Sequence, residues 1–426
     1  MPTPGVRPDK QTNNIWYTQG TSPSTLVFVH GIFSNSRSCW FAETNTGGVY
    51  WLDLINQDAR LHGASIFLGG FYTDFDAGRY DISDCANELL GGITTPDPAL
   101  RRTVLEHERI VFICHSTGGI IVRYLLTAFP DLFANKEVGL LLMASPSMGS
   151  KLADLLGGPA KFYNNQLGLH LKWGNDLLED LDTRFKNLLD RKSIPKIAGI
   201  EGCENHFVIH RKWLPDRTYV VEKESAGRYF TVHLLRDTDH FSTVKPHNES
   251  HPAHQLLVRF WLRHYGPPLS HDVSSLLDAS KAAMRDRNLR YFSPAMLFAL
   301  LYPEGLLASA MNALSRGSAA KLRNEVEAYL QQELPSIGPD RFVDFDWYAR
   351  QEIRTAQARA AREGESAVSE GRIVQALLES PSKSMSKIRK NLGVDFTRLM
   401  AEIEGRCDNR AATPMYKGLF GSSVDE

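Results

Sequence analysis

The sequence predicts an α/β domain with a mostly parallel sheet and flanking helices, followed by an all-α bundle of two pseudo-symmetric repeats. Three observations carry this. Short apolar runs of strand type alternate with helical patterns up to about residue 265. A punctuated linker, Gly266-Pro267-Pro268-Leu269-Ser270, then breaks the texture. Beyond it the spacing is helical throughout, and one helical unit occurs twice.

In chain order, Leu26-Val27-Phe28-Val29 is a continuous apolar run of the kind a strand buried on both faces requires. It stops at His30-Gly31, a strand-ending turn. Gly69-Gly70-Phe71-Tyr72 closes another early strand in a glycine turn and is no mark of phosphate binding. Residues 109–114 form a third apolar strand, and residues 119–126 an apolar helix directly after it. Residues 147–193 exceed what a crossover between strands needs. Leu152, Leu155 and Leu156, then Leu177, Leu178, Leu181, Phe185, Leu188 and Leu189, fall at helical spacing. The reading is one crossover helix plus a helical cap over the mouth of the site, with Gly157-Gly158-Pro159 as its hinge. Phe162, Tyr163, Leu169, Leu171 and Trp173 suit an acyl pocket and equally suit plain core. Residues 194–200 read as the next strand, residues 229–235 alternate as another, and residues 253–264 as a closing helix.

The junction Cys114-His115-Ser116-Thr117-Gly118-Gly119 is the most informative point in the chain. A sharp strand-to-helix turn carrying a reactive serine needs small residues around it, because strand and helix pack closely there. Gly118 meets that need downstream, whereas Cys114 stands upstream where glycine is usual. Helix N-terminal amides beside Ser116 favour developing negative charge. The alternative is an ordinary serine N-cap. A nucleophilic serine needs a base, and His240 follows the strand at 229–235, in the loop where open α/β sheets place their ligands. For the acid that orients the imidazole, Glu201 directly follows the strand at 194–200 and is the first choice. Glu204, Glu222 and Glu224 are its rivals, and Asp237 and Asp239 lie too near His240 in sequence. The oxyanion donors expected are the amides of Ile32, with Phe33 as fallback, and Thr117.

These blocks resemble the α/β-hydrolase superfamily, within it the lipase-like branch that includes the glycosylphosphatidylinositol inositol deacylases. Phe28-Val29-His30-Gly31, the Cys114 to Gly119 block, Ala144-Ser145-Pro146-Ser147-Met148-Gly149-Ser150, and Asp239-His240-Phe241 through Lys245-Pro246 carry the likeness, over about residues 20 to 265. It implies an eight-stranded, mostly parallel sheet wrapped by helices and an ester or thioester substrate, and speaks weakly to the substrate itself.

Composition narrows the classes further. The chain of 426 residues is long enough for two domains, and its 42% hydrophobic content supports a sizeable core. No apolar stretch is long enough to span a bilayer, so membrane contact is expected to be peripheral at most. Without an apolar leader segment and with five scattered cysteines lacking Cys-x-x-Cys pairing, a cytoplasmic protein is expected, with neither a disulfide framework nor structural zinc. Basic and acidic residues number 48 and 49, so nucleic acid is not an expected partner. His206, His210, Arg211 and Lys212 lack metal-ligand spacing and are read as solvated surface. No metal or cofactor is called for.

In the second half, Tyr291 through Leu301 aligns with Val368 through Leu378 at a constant offset, each behind an alanine-rich helix. Two copies of one helical unit suggest a bundle whose halves bury each other's apolar faces. The doubled unit, with its helices ending Ala-Leu-Leu and its closing Asn391-Leu392-Gly393-Val394-Asp395, resembles the N-terminal domain of the Clp unfoldases. That resemblance implies recognition of a protein or peptide partner and carries over no catalytic residue, and the chain has no Walker motif. The expected organisation is a catalytic domain over residues 1–268 with a cap at about 147–193, a helical domain over 269–406 and a tail over 407–426. The expected activity is a serine hydrolase acting on an ester or lipid-like small molecule, with the helical module as regulator. A serine peptidase or amidase on the same scaffold, or a non-catalytic adaptor, are the competing readings, and the oligomeric state is left open.

Overall fold

The computed structural model describes residues 13–20, 22–32, 34–44, 47–61, 63–73, 80–97, 102–147, 167, 170–171, 175–205, 227–286, 293–332 and 347–407. The chain divides into two compact units, Met1–His264 and Tyr265–Glu426.

Among the described residues, the first unit is built on a seven-stranded sheet, one strand fewer than the resemblance implies. It is ordered β1 (Ile15–Thr18), β5 (Ser65–Gly69), β2 (Ser24–Val29), β6 (Arg109–His115), β7 (Glu137–Met143), β8 (Lys196–Glu204) and β9 (Val232–Leu235). Only β1 runs antiparallel, pairing with β5 at the edge. A separate hairpin joins β3 (Phe41–Thr44) and β4 (Gly47–Tyr50). The central strands carry unbroken apolar runs because helices cover both faces: all six residues of β2 are buried, as are Ile110 to His115 of β6 and Val138 to Met143 of β7.

Helices α1 (Trp51–Gln57), α2 (Ile82–Thr94), α3 (Thr117–Ala128), α4 (Asp176–Asp190) and α5 (Pro252–Tyr265) complete the layers. Helix α2 starts at Asp81, whose carboxylate accepts from the Ser83 and Asp84 amides while the Asp84 side chain answers the Asp81 amide, a reciprocal cap. The expected crossover helix is α4. It buries Leu178, Leu181, Phe185 and Leu188 in the core that also holds α2 and α3, and leaves Leu177 exposed. Most of the expected cap lies outside the described residues, including the Gly157-Gly158-Pro159 hinge, Phe162, Tyr163, Leu169 and Trp173. Leu171 is described and belongs to the core.

Strand order positions the site. Strand β2 lies between β5 and β6, so the chain crosses to one side of it and then to the other. The carboxyl ends of β2 and β6 therefore flank the point where the winding reverses, which is where open α/β sheets place their ligands.

The second unit is all helical among its described residues: α6 (His271–Asp286), α7 (Ser293–Leu300), α8 (Leu306–Leu314), α9 (Ser318–Gln332), α10 (Trp347–Arg362), α11 (Glu370–Leu378), α12 (Lys383–Lys390) and α13 (Phe396–Cys407). Four helices of long, short, short, long pattern recur as a second four. The equivalent short helices α7 and α11 form the centre. Every residue of α7 is buried, which is why its sequence shows no amphipathic stripe, and α11 is buried from Gly371 to Leu378. Polar ties cross the repeat: Glu370 accepts from the Leu306 amide and the Tyr302 hydroxyl, each at 2.8 Å. Arg372, buried to 5% exposure, is neutralised by Glu365 and Glu404. Pro268 and Ser270 of the linker hydrogen-bond Val368 at the entrance to the second repeat.

Candidate active site

Ser116 stands between β6 and α3 with φ 51° and ψ −123°, a left-handed φ that a residue with a Cβ adopts only under strain of about 1–3 kcal/mol. Its neighbours impose the bend. The Ser116 amide donates to the Met143 carbonyl at 3.0 Å, which holds the turn to the end of β7. A Cβ on Gly118 would lie 2.4 Å from the Val29 carbonyl oxygen and 2.6 Å from that of His30, so only glycine lets α3 begin this close to β2. A Cβ on Gly119 would lie 2.3 Å from Ser145 Oγ. Upstream, Cys114 is fully buried and fills the place expected of glycine. The serine does not cap the helix, since its side chain makes no bond to the first-turn amides. Instead Ser116 Oγ lies 3.2 Å from His240 Nε2.

His240 arrives from the edge of the sheet, three strands away from β6. After β9 the chain turns through Asp237, at φ 59°, and is tied back to β8: the Asn205 amide donates to the Thr238 carbonyl at 3.1 Å, and the Asp237 amide to Asn205 Oδ1 at 3.3 Å. Asp239 spends its carboxylate locally, accepting from the amides of Phe241 and Ser242 and from the Ser242 hydroxyl. The His240 carbonyl accepts from Thr243 Oγ1 at 2.9 Å and faces His115 Nε2 at 2.9 Å. Both side chains of the Ser116 and His240 pair are at least nine-tenths buried.

The acid facing the imidazole differs from the first expectation. Glu204 Oε1 lies 3.7 Å from His240 Nδ1, and both side chains are almost wholly buried. That is ion-pair range, longer than a hydrogen bond. Glu201 is placed elsewhere: its carboxylate accepts from the amides of Gly227 at 2.6 Å, Tyr229 at 2.9 Å and Phe230 at 3.0 Å, and it is 1% exposed. Two facts account for these placements. Strand β8 runs on to Glu204, four residues past the expected end, so Glu201 lies inside the strand and Glu204 at its carboxyl terminus. Positions 201 and 204 also differ by an odd number, which turns their side chains to opposite faces of the sheet. Glu222 and Glu224 lie outside the described residues.

On the oxyanion side, Thr117 opens α3 immediately after Ser116. Ile32 lies in the turn after β2, and the preceding Gly31 is pressed against the elbow: a Cβ there would sit 2.9 Å from Ser116 Cβ. Phe33 lies outside the described residues, as do His206, His210, Arg211 and Lys212. Among the described residues, no cluster of His, Cys, Asp or Glu has the arrangement of a metal site, and no helix is long and apolar enough to cross a membrane. All five cysteines are free thiols.

Sequence reasoning passed over the layer behind the base. His115 lies beneath His240, with ring centroids 4.9 Å apart, and its Nδ1 lies 3.4 Å from Cys39 Sγ. The signal was its place one residue before the nucleophile. Its partner Cys39 comes from a distant loop that no local pattern marks.

The sequence matches no protein-family model and no curated protein. Among solved structures, parts of it are similar to phospholipase PlaB from Legionella pneumophila at 18% identity and TM-score 0.42, covering 55% of this chain and 59% of that one. The chain thus spans about three fifths of the length of that phospholipase. Another similar structure is the mature lipase BlEst2 of Bacillus licheniformis, at 17% identity and TM-score 0.39, over 59% of this chain and 98% of that one. A third is the N-terminal domain of Hsp104 from Candida albicans, at 16% identity and TM-score 0.30, over 34% of this chain and 93% of that one. The neighbours of this two-unit chain are therefore lipases and esterases on one hand and N-terminal domains of Clp-type chaperones on the other.

Proposed function

We propose that the first unit is a serine hydrolase that cleaves a carboxylic ester or thioester through an acyl-Ser116 intermediate. The observation that carries this reading is the strained Ser116, unused as a helix cap, with its Oγ 3.2 Å from His240 Nε2. In the proposed cycle, His240 Nε2 takes the hydroxyl proton as Oγ attacks the substrate carbonyl carbon. The resulting oxyanion is held by the Thr117 amide and, from the β2 side, the Ile32 amide, beside the positive end of α3. Collapse breaks the bond to the leaving alcohol or thiol, which receives the proton from His240. Water then repeats the sequence and releases the acid. Glu204 holds Nδ1 protonated and balances the imidazolium, while Glu201 acts as a structural anchor for residues 227–230.

The second unit is proposed as a recognition module for a protein or peptide that regulates the hydrolase. The lipid-like substrate, peripheral membrane contact and a reducing, cytoplasmic setting belong to the same proposal. The five free thiols support that setting.

The test is labelling of the full chain with a fluorophosphonate, with S116A as control, followed by turnover of short and long p-nitrophenyl esters beside a peptide library. Labelling that depends on Ser116, with ester turnover, is the expected result. Cleavage of peptides alone would reassign the chain to the peptidases, and absence of labelling would leave an adaptor acting through its helical unit.

A further inference from the structure

The buried histidine next to the nucleophile is poised to act on the base. His115 Nε2 lies 2.9 Å from the main-chain carbonyl oxygen of His240. A carbonyl only accepts, so the proton of that bond belongs to His115 Nε2. The other ring nitrogen must then carry a lone pair, and 3.4 Å from it stands Cys39 Sγ. Cys39 is 3% exposed, and burial pushes its thiol up to about 11, so it keeps its proton and donates it to Nδ1. Burial likewise holds the His115 imidazole well below its ordinary value, with the nearby His240 as the second cause, so the ring stays neutral. A Cys39 to His115 to His240 chain of donors results, each donor with one acceptor. Thr243 Oγ1 adds a second bond to the same carbonyl at 2.9 Å.

Resting on the hydrolase reading of the site, we propose that His115 is a positioning residue for the catalytic base: it fixes the main chain of His240, and Cys39 fixes its tautomer. The need for such a brace is visible in the fold. His240 lies beyond the end of β9 in a loop, and its ring nitrogen must stay within reach of an Oγ borne on a different strand. Main-chain drift at His240 moves Nε2 off Ser116, and a misplacement of about 1 Å lowers turnover by about a hundredfold. A Cβ built on Gly31 would lie 3.4 Å from His115 Nδ1, so Gly31 closes the remaining side of the ring.

The chemistry supplies a matched pair of variants. Glutamine carries its amide nitrogen as many bonds from Cβ as histidine carries Nε2, so H115Q still donates to the His240 carbonyl. Asparagine carries its nitrogen at the distance of Nδ1, so H115N does not. Both remove the ring, and a role in packing alone would affect them alike. The expected result is that H115N loses about a hundredfold in kcat and in fluorophosphonate labelling rate at nearly unchanged KM, while H115Q stays within about tenfold of the wild type. Equal rates for the two, in a chain whose wild type labels at Ser116, would overturn the positioning role and leave the hydrolase reading intact. Absence of labelling in the wild type would overturn both. Should H115N fail to fold, the imidazole nitrogen shifts of wild-type His115 measured by NMR decide the matter: a proton on Nε2 and a bare Nδ1 support the proposal, and the reverse tautomer overturns it.

Discussion

Two buried glutamates on one strand, three positions apart, are expected to fail in different ways when altered. Glu201 accepts three main-chain amides, from Gly227, Tyr229 and Phe230. In E201A those donors lose a charged acceptor, and a buried amide left unpaired costs about 1–3 kcal/mol. Residues 228–230 are only partly buried, so water reaches some of the freed groups and the low end applies to each, about 3 kcal/mol in all. For a unit of this size that lowers the melting temperature by about 6–12 °C. Turnover of the surviving folded enzyme should fall far less. Glu204 makes the opposite case. E204Q keeps volume but removes the charge 3.7 Å from His240 Nδ1, and an amide there also permits the wrong imidazole tautomer. The expected loss is about three to four orders of magnitude in kcat with the melting temperature nearly unchanged. Steady-state ester hydrolysis and calorimetry on both variants provide the measurement. A turnover loss concentrated in E201A, with E204Q near the wild type, would refute the assignment.

Three further outcomes follow from the same geometry. G118A places a methyl group 2.4 Å from the Val29 carbonyl oxygen, so it should displace α3, abolish fluorophosphonate labelling and destabilise the first unit by about 1–3 kcal/mol, read by calorimetry. His251 accepts the Ala253 amide through Nδ1 at the start of α5, and burial, with His247 and His254 as lesser causes, depresses its imidazole to about 4. Its folded value lies below its unfolded one, so its contribution is complete above about pH 6.5 and is lost as pH falls toward about 4. Urea unfolding of H251Q should show a flatter stability profile across that window, and an unchanged slope would count against the cause given. E370A strips the acceptor from the Tyr302 hydroxyl and the Leu306 amide, so unfolding of the helical unit should shift down by about 1–3 kcal/mol without changing ester turnover.

The features legible in the sequence were those with local causes. The Ser116 turn could be read because a strand, a small-residue bend and a helix follow one another in six residues. The helical repeat could be read because its spacing recurs. Identifying the glutamate that faces His240 depended on where β8 stops. Its last four residues, Glu201-Gly202-Cys203-Glu204, have neither the β-branched nor the alternating character of a strand, and the final two, Cys203 and Glu204, are held in the ladder by pairing with β9. Cys39 and His115 meet across 76 positions, a juxtaposition that only the folded chain reveals.

The fastenings at Asn205 and Gly227 serve different ends. On one side Asn205 is fastened to Thr238, and on the other Gly227 is fastened to Glu201. The second tie ends inside the sheet, on β8, whereas the first reaches the loop that carries His240 to Ser116, so the placement of the base depends on the end of β8.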